Sequence, residues 1–185
     1  MIAEPPSPCR TSPLLAIIHF FIDLALLRRK PQDLPASPAL FGLVLIAGLA
    51  GGALLAATAG ATLPLALAQT VLDMLLMLAV LQMALKWVKK PSRFVQTATA
   101  LVGTDTLVGF AALLPVSLAG PGTGDSPQLV VAGLLFIVLV AWSVLIAAHI
   151  LRHAFDIKLM QGAVIAVAFD ILSFVIVGGV TQGAV

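Results

Sequence analysis

Three aspartates, Asp73, Asp105 and Asp170, lie inside long apolar stretches that contain no lysine or arginine to pair with them. A charged side chain near the centre of a lipid-embedded helix costs about 2.5 to 3.5 kcal/mol, comparable to the combined benefit of several leucines. Each carboxyl is therefore expected to face the helix bundle. Four states are open to it: protonation, hydrogen bonding to polar neighbours, cation binding, or pairing with a base on another subunit. Without a cation, burial disfavours the charged form and neighbouring carboxyls disfavour it further, so at least one of the three is expected to be neutral at pH 7. Local partners exist: Gln69 is one turn from Asp73, Thr104 and Thr106 flank Asp105, and Ser173 follows Asp170 by three residues. Structural hydrogen bonding, a proton or cation site, and contact with a partner subunit are all compatible with this spacing.

Other chemistry is sparse. His149 and His153 are one helical turn apart beside Arg152, but two histidines need further ligands to hold a metal, and only Asp156 is near. They read as an ordinary interfacial cluster. No Ser-His-acid set, HExxH motif, phosphate loop or paired-Asp magnesium motif is present, so no catalytic residue, metal or cofactor is expected. Cys9 is the single cysteine, which excludes an intrachain disulfide and a dithiol redox motif.

The elements that must position the aspartates follow from composition. Of 185 residues, 61% are hydrophobic and 10% charged, and the mean hydropathy is +1.13. Soluble domains carry about 25% charged residues, so this chain cannot cover its own surface in water. A soluble enzyme, a nucleic-acid binder and a disordered chain are excluded. Five apolar runs, 38–60, 64–85, 94–116, 129–151 and 159–180, each match the roughly 20 residues a helix needs to cross a hydrocarbon core of about 30 Å. Strands would need alternating polar residues, which are absent. The fold class is an all-α, polytopic transmembrane bundle of five spans.

Charge sets its orientation. Arg10, the cluster Arg28, Arg29 and Lys30, the loop Lys86, Lys89, Lys90 and Arg93, and the pair Arg152 and Lys158 all fall on one side of a five-span arrangement. That side is cytoplasmic by the positive-inside rule, with the C-terminus outside. The basic residues Arg28, Arg29, Lys30, Lys89, Lys90 and Arg93 are expected at the lipid interface, with Trp87 as an anchor. Relative to these bases the aspartates share a depth. Asp73 precedes Lys86 by 13 residues, Asp105 follows Arg93 by 12 and Asp170 follows Lys158 by 12. At 1.5 Å per residue each lies roughly 18 to 20 Å from its anchor. Equal depth is necessary for a shared site and does not establish contact.

Residues 1–13, with four prolines, read as a disordered tail, and 14–30 as an amphipathic helix in the cytoplasmic interface with His19 and Asp23 on its polar stripe. Gly48, Gly52, Ala56 and Gly60 recur every four residues and form a small-residue stripe, suited to internal packing or to a dimer face. Gly103 and Gly109 are expected to serve internal packing, and Trp142 to pack within the bundle or against lipid.

The layout resembles the Yip family, five-span membrane proteins that interact with Ypt/Rab GTPases, and in particular its small bacterial members. The likeness covers about residues 14–180. It rests on the cytoplasmic N-terminal segment and closely spaced spans, on the third span from Gln96-Thr97-Ala98-Thr99 through Gly103-Thr104-Asp105 to Leu114-Pro115, and on Trp142 to Arg152-His153-Ala154-Phe155. The resemblance implies a non-enzymatic membrane protein. The chain has almost no N-terminal cytosolic domain, so GTPase docking does not carry over, and no site residue transfers by position. The sequence-based expectation is an accessory, assembly or organising component of a membrane complex, in a bacterial cytoplasmic membrane. Its partners would be the lipid bilayer and a membrane protein or a second copy of itself. The alternative is a proton- or cation-coupled transport protein using the three aspartates.

Overall fold

The computed structural model describes residues 13–120 and 127–182, and among them every regular element is helical. The expected N-terminal tail, Cys9 and Asp125 lie outside the described residues, as does most of the expected outer loop. Six α-helices follow in order: α1 (Pro13–Ala25), α2 (Pro38–Thr58), α3 (Leu63–Trp87), α4 (Phe94–Ala119), α5 (Pro127–Phe155) and α6 (Leu159–Gln182). Helices α2 to α6 are long and apolar enough to cross a membrane. Their ends fall within four residues of the expected spans.

Local signals explain the boundaries. Proline is the first residue of α2 and the second of α3, where its missing N–H would be unpaired in any case. The Ser37 hydroxyl caps α2 by accepting from the Leu40 amide at 3.4 Å. Four helices close with a backbone bond reaching back five residues, from Arg28 to Asp23, Ala61 to Ala56, Lys90 to Leu85 and Ile157 to Arg152. Each needs a left-handed residue just beyond the helix. Gly60 supplies one at φ +98°, whereas Leu27, Lys89 and Asp156 adopt it without being glycine. Gly60 is therefore the turn after α2, not the last member of the expected packing stripe. Pro115 lies inside α4, which continues to Ala119.

Helix α4 packs between α2 and α5; α5 packs on α6, α6 on α3, and α3 back on α2, with a lesser contact between α3 and α4. The five long helices thus close a ring in the order α2, α4, α5, α6, α3. Small residues set the closest approaches. A Cβ on Gly162 of α6 would stand 2.5 Å from the Ala148 carbonyl oxygen of α5. A Cβ on Gly48 would meet Val102, Met74 and Thr106, and one on Gly52 would meet Thr70. Gly48 and Gly52 therefore seat α2 against its neighbours in the ring.

The expected segment 14–30 is helical only over Pro13–Ala25. Helix α1 packs on α4, where the Phe21 ring occupies the space a side chain at Gly103 would take, and Leu24 is fully buried. Leu15, Ile18, Ile22 and Leu26 form an opposite, exposed apolar edge. The Trp142 indole N–H donates to the Ala25 carbonyl at 3.0 Å, and the His149 Nε2 lies 2.9 Å from the Arg29 carbonyl oxygen. Together they hold the end of α1 against α5.

The basic ends of the helices are tied to one another. Arg93 Nη1 donates to the carbonyls of His153 at 3.0 Å and Ala154 at 3.1 Å, and to the Asp156 carboxylate at 3.1 Å. Lys90 Nζ donates to the Phe155 carbonyl at 3.1 Å and to the same carboxylate. These contacts satisfy the open carbonyls at the C-terminus of α5 and place positive charge at its negative end. Lys90 and Arg93, expected as lipid-interface residues, thus join the α3–α4 loop to α5. Arg29 pairs with Asp23 at 3.2 Å and sits over the Phe20 ring, while Arg28, Lys30 and Lys89 remain exposed.

Gly162→Ala should destabilise the bundle by about 1 to 3 kcal/mol, because the obstructing atom is backbone and cannot swing away. Gly133→Ala, which meets nothing within 4 Å, should be neutral or slightly stabilising. Thermal unfolding of the two purified variants in detergent measures the difference. The Asp156 carboxyl is held below its usual range first by its hydrogen bonds to Lys90 and Arg93. Its stabilising contribution is then complete above the ordinary carboxylate range near pH 3.9 and disappears as pH falls through the lowered value. The gap in unfolding temperature between wild type and Asp156→Asn should accordingly narrow from pH 6 to pH 3; an unchanged gap would contradict the ion-pair account.

Candidate functional site

The ring encloses a cavity of about 710 Å³ to which all five long helices contribute. Asp73 from α3, Asp105 from α4 and Asp170 from α6 all line it. Equal depth in sequence therefore becomes a shared space, and the three carboxylates act on one another: Asp105 feels both Asp73 and Asp170, and Asp170 feels Asp73. Among the described residues no lysine, arginine or histidine lines the cavity. The Asp105 side chain is exposed to the open space of the cavity. Asp170 borders the same space.

The hydrogen bonds differ from those expected from sequence. Thr104 and Thr106 flank Asp105 but do not serve it. The Thr104 hydroxyl donates to the Ala100 carbonyl at 2.8 Å and that of Thr106 to the Val102 carbonyl at 2.7 Å. A threonine on a helix readily turns its hydroxyl to the carbonyl one turn back, which satisfies the donor without reaching across the bundle. Thr70 and Ser143, two further lining residues, likewise donate to Ala66 and Val140 of their own helices. Among the described residues, Asp105 accepts no hydrogen bond.

Ser173 was expected to serve Asp170, three residues before it. Its hydroxyl instead donates to the Asp73 carboxylate, joining α6 to α3 across the ring. Ser173 is buried, so this bond is shielded from competition. Gln69 lines the cavity on the face of α3 that carries Asp73.

The remaining walls are mostly apolar. Met74, Met77, Leu101, Val102, Ile146 and Phe169 are among the lining residues. On α3 the lining runs from Gln69 to Ala84, a rise of about 22 Å at 1.5 Å per residue, so the space extends along much of the bundle. Gly48, Gly52 and Gly109 border it, and a Cβ on Gly109 would meet nothing within 4 Å. Gly109 therefore leaves open space instead of serving the tight packing expected of it. Met74, Met77 and Phe169 carried no signal in sequence, because an apolar residue facing a cavity and one facing lipid obey the same pattern.

His149 and His153 meet edge to face at 4.8 Å between ring centroids, apart from the cavity lining. Among the described residues no three His, Cys, Asp or Glu side chains are grouped as a metal ion would require. No protein-family model, curated protein or solved structure matches the chain.

Proposed function

We propose that this integral membrane protein is a proton- or cation-coupled transport protein whose coupling site is formed by Asp73, Asp105 and Asp170. One observation carries the reading: three carboxylates from three helices line one cavity that, among the described residues, no basic side chain lines. In a medium of low dielectric, three negative charges bordering one space repel one another, which favours uptake of protons or of a cation. Such an arrangement changes its net charge when an ion enters or leaves. A transport protein needs that coupling between occupancy and charge.

The hydrogen-bond pattern supports an exchangeable occupant. Asp73 has a fixed donor in Ser173, whereas the hydroxyls nearest Asp105 are turned to their own helix. Asp105 and Asp170 are thus the groups left to meet what enters. The cavity runs along the bundle past the level of the acids, consistent with a path and not merely a pocket. A cytoplasmic membrane would supply the proton gradient for this chemistry. The other reading, a non-enzymatic accessory component of a membrane complex, draws on the exposed apolar faces of α5 and α6, which lipid alone would also cover.

Purified protein in liposomes, loaded with a pH-sensitive dye and given a cation gradient, tests the proposal. Wild type should carry proton or cation flux. Asp105→Asn should reach normal membrane abundance and lose at least tenfold in flux, and Asp170→Asn should weaken it. Asp73→Ala should lower abundance as well, because it removes the acceptor of the Ser173 hydroxyl that joins two helices. Absence of wild-type flux under every gradient tried, including Na⁺ and K⁺, would refute the reading.

A further inference from the structure

Cavity size, wall chemistry and the state of the donors together point to an occupant larger than an inorganic ion. We infer that the cavity binds a bulky, lipophilic organic cation, with Asp105 and Asp170 as its counter-ions. The inference rests on the proposed transport role for its biological meaning, but the binding it describes is independent of any flux.

Volume comes first. A space of about 710 Å³ falls in the range of pockets that enclose drug-sized molecules, roughly 300 to 1,000 Å³. A bare Na⁺ or K⁺ would need several oxygen ligands drawn in around it, and most of this wall offers none. Met74, Met77, Ile146, Phe169 and Phe174 present carbon, sulfur and aromatic faces instead. Methionine adapts to irregular apolar shapes, and aromatic faces attract cations.

The donors come second. An anionic or neutral polar ligand needs N–H or O–H groups pointing at it. Thr70, Thr104, Thr106 and Ser143 direct their hydroxyls to backbone carbonyls, and the Ser173 hydroxyl goes to Asp73. Apart from the Gln69 amide, what faces inward is acceptor oxygen and negative charge. Asp105 and Asp170 both line the cavity and accept no hydrogen bond among the described residues, so their charge is the least compensated by the protein. A cation with apolar substituents answers both features at once: its charge meets the carboxylate and its bulk covers the walls.

Access comes third. Phe174 lines the cavity and is also 80% exposed, so it stands where the cavity meets the outer surface of the ring. That surface faces the hydrocarbon region on the membrane reading, where a lipophilic cation would already be concentrated. Asp170, one turn before Phe174 on α6, lies beside this mouth.

Tetraphenylphosphonium is a suitable probe, because it carries a permanent positive charge and no hydrogen-bond donor. Calorimetric titration of the full-length protein in detergent should show saturable binding, one ion per chain. Binding should weaken at least tenfold in Asp105→Asn and on acidification, as protons compete for the same carboxylates. Gly109→Leu, which places side-chain bulk in the open space on the face of α4 that carries Asp105, should weaken tetraphenylphosphonium binding while the variant still unfolds cooperatively on heating in detergent. The anion tetraphenylborate should not bind at the site. A folded wild type that binds no tetraphenylphosphonium, equal binding of tetraphenylborate, or undiminished binding by both folded variants would overturn the inference. Flux without tetraphenylphosphonium binding would defeat this inference and leave the transport reading intact. Binding without flux would do the reverse.

Discussion

Three carboxylates without a basic partner must be kept out of lipid, and the arrangement of the helices meets that constraint. Each acid alone would cost several kilocalories per mole if turned to the hydrocarbon. A ring solves the problem for all of them together. Because α3, α4 and α6 all border the enclosed space, Asp73, Asp105 and Asp170 reach a common interior while the outward faces of α5 and α6 stay apolar. The contact of Ser173 with Asp73 falls at the pairing of α3 with α6, which completes the circuit. The polar site therefore contributes to closing the ring that shelters it.

Packing and electrostatics are divided between different parts of the molecule. At the level of the acids the helices stand apart around open space. At the basic end they are drawn together, with Lys90 and Arg93 meeting the last carbonyls of α5 and the Asp156 carboxylate. Nearby Leu81, Leu85, Ala98, Leu151 and Ala154 form a buried apolar cluster. Close backbone contact at Gly162 fixes α6 on α5, and the Phe21–Gly103 contact fixes α1 on α4. A bundle held at one end and along selected seams can keep a cavity open between its helices without collapsing.

Much of the fold was legible in the residues. Span number, span limits and the equal depth of the acids follow from hydrophobic length and from where the bases stand, because a bilayer imposes both on any chain that crosses it. Helix neighbours did not follow, since the order α2, α4, α5, α6, α3 is not the order of the chain. Hydrogen-bond partners were misread for a related reason. Sequence spacing makes Thr104, Thr106 and Ser173 look like local partners of the nearest aspartate. Whether a hydroxyl turns to its own backbone or across the bundle depends on which helix lies opposite. Gly60 shows the same limit: its spacing fits the stripe of Gly48 and Gly52, but the helix ends before it and the residue forms a turn.

The central claim is that acids distant in sequence share one interior space, with α3 beside α6. A proximity measurement in native membranes tests it directly. With Cys9→Ser as background, Asp73→Cys combined with Ser173→Cys should be joined within one chain by a short bis-methanethiosulfonate. Asp73→Cys combined with Val175→Cys, which is 62% exposed on α6, should not be joined within the chain. Efficient linkage of the first pair alone is the result the structure predicts. Failure of that pair to link in a folded protein, or equal linkage of both pairs, would contradict the shared site and the ring that forms it.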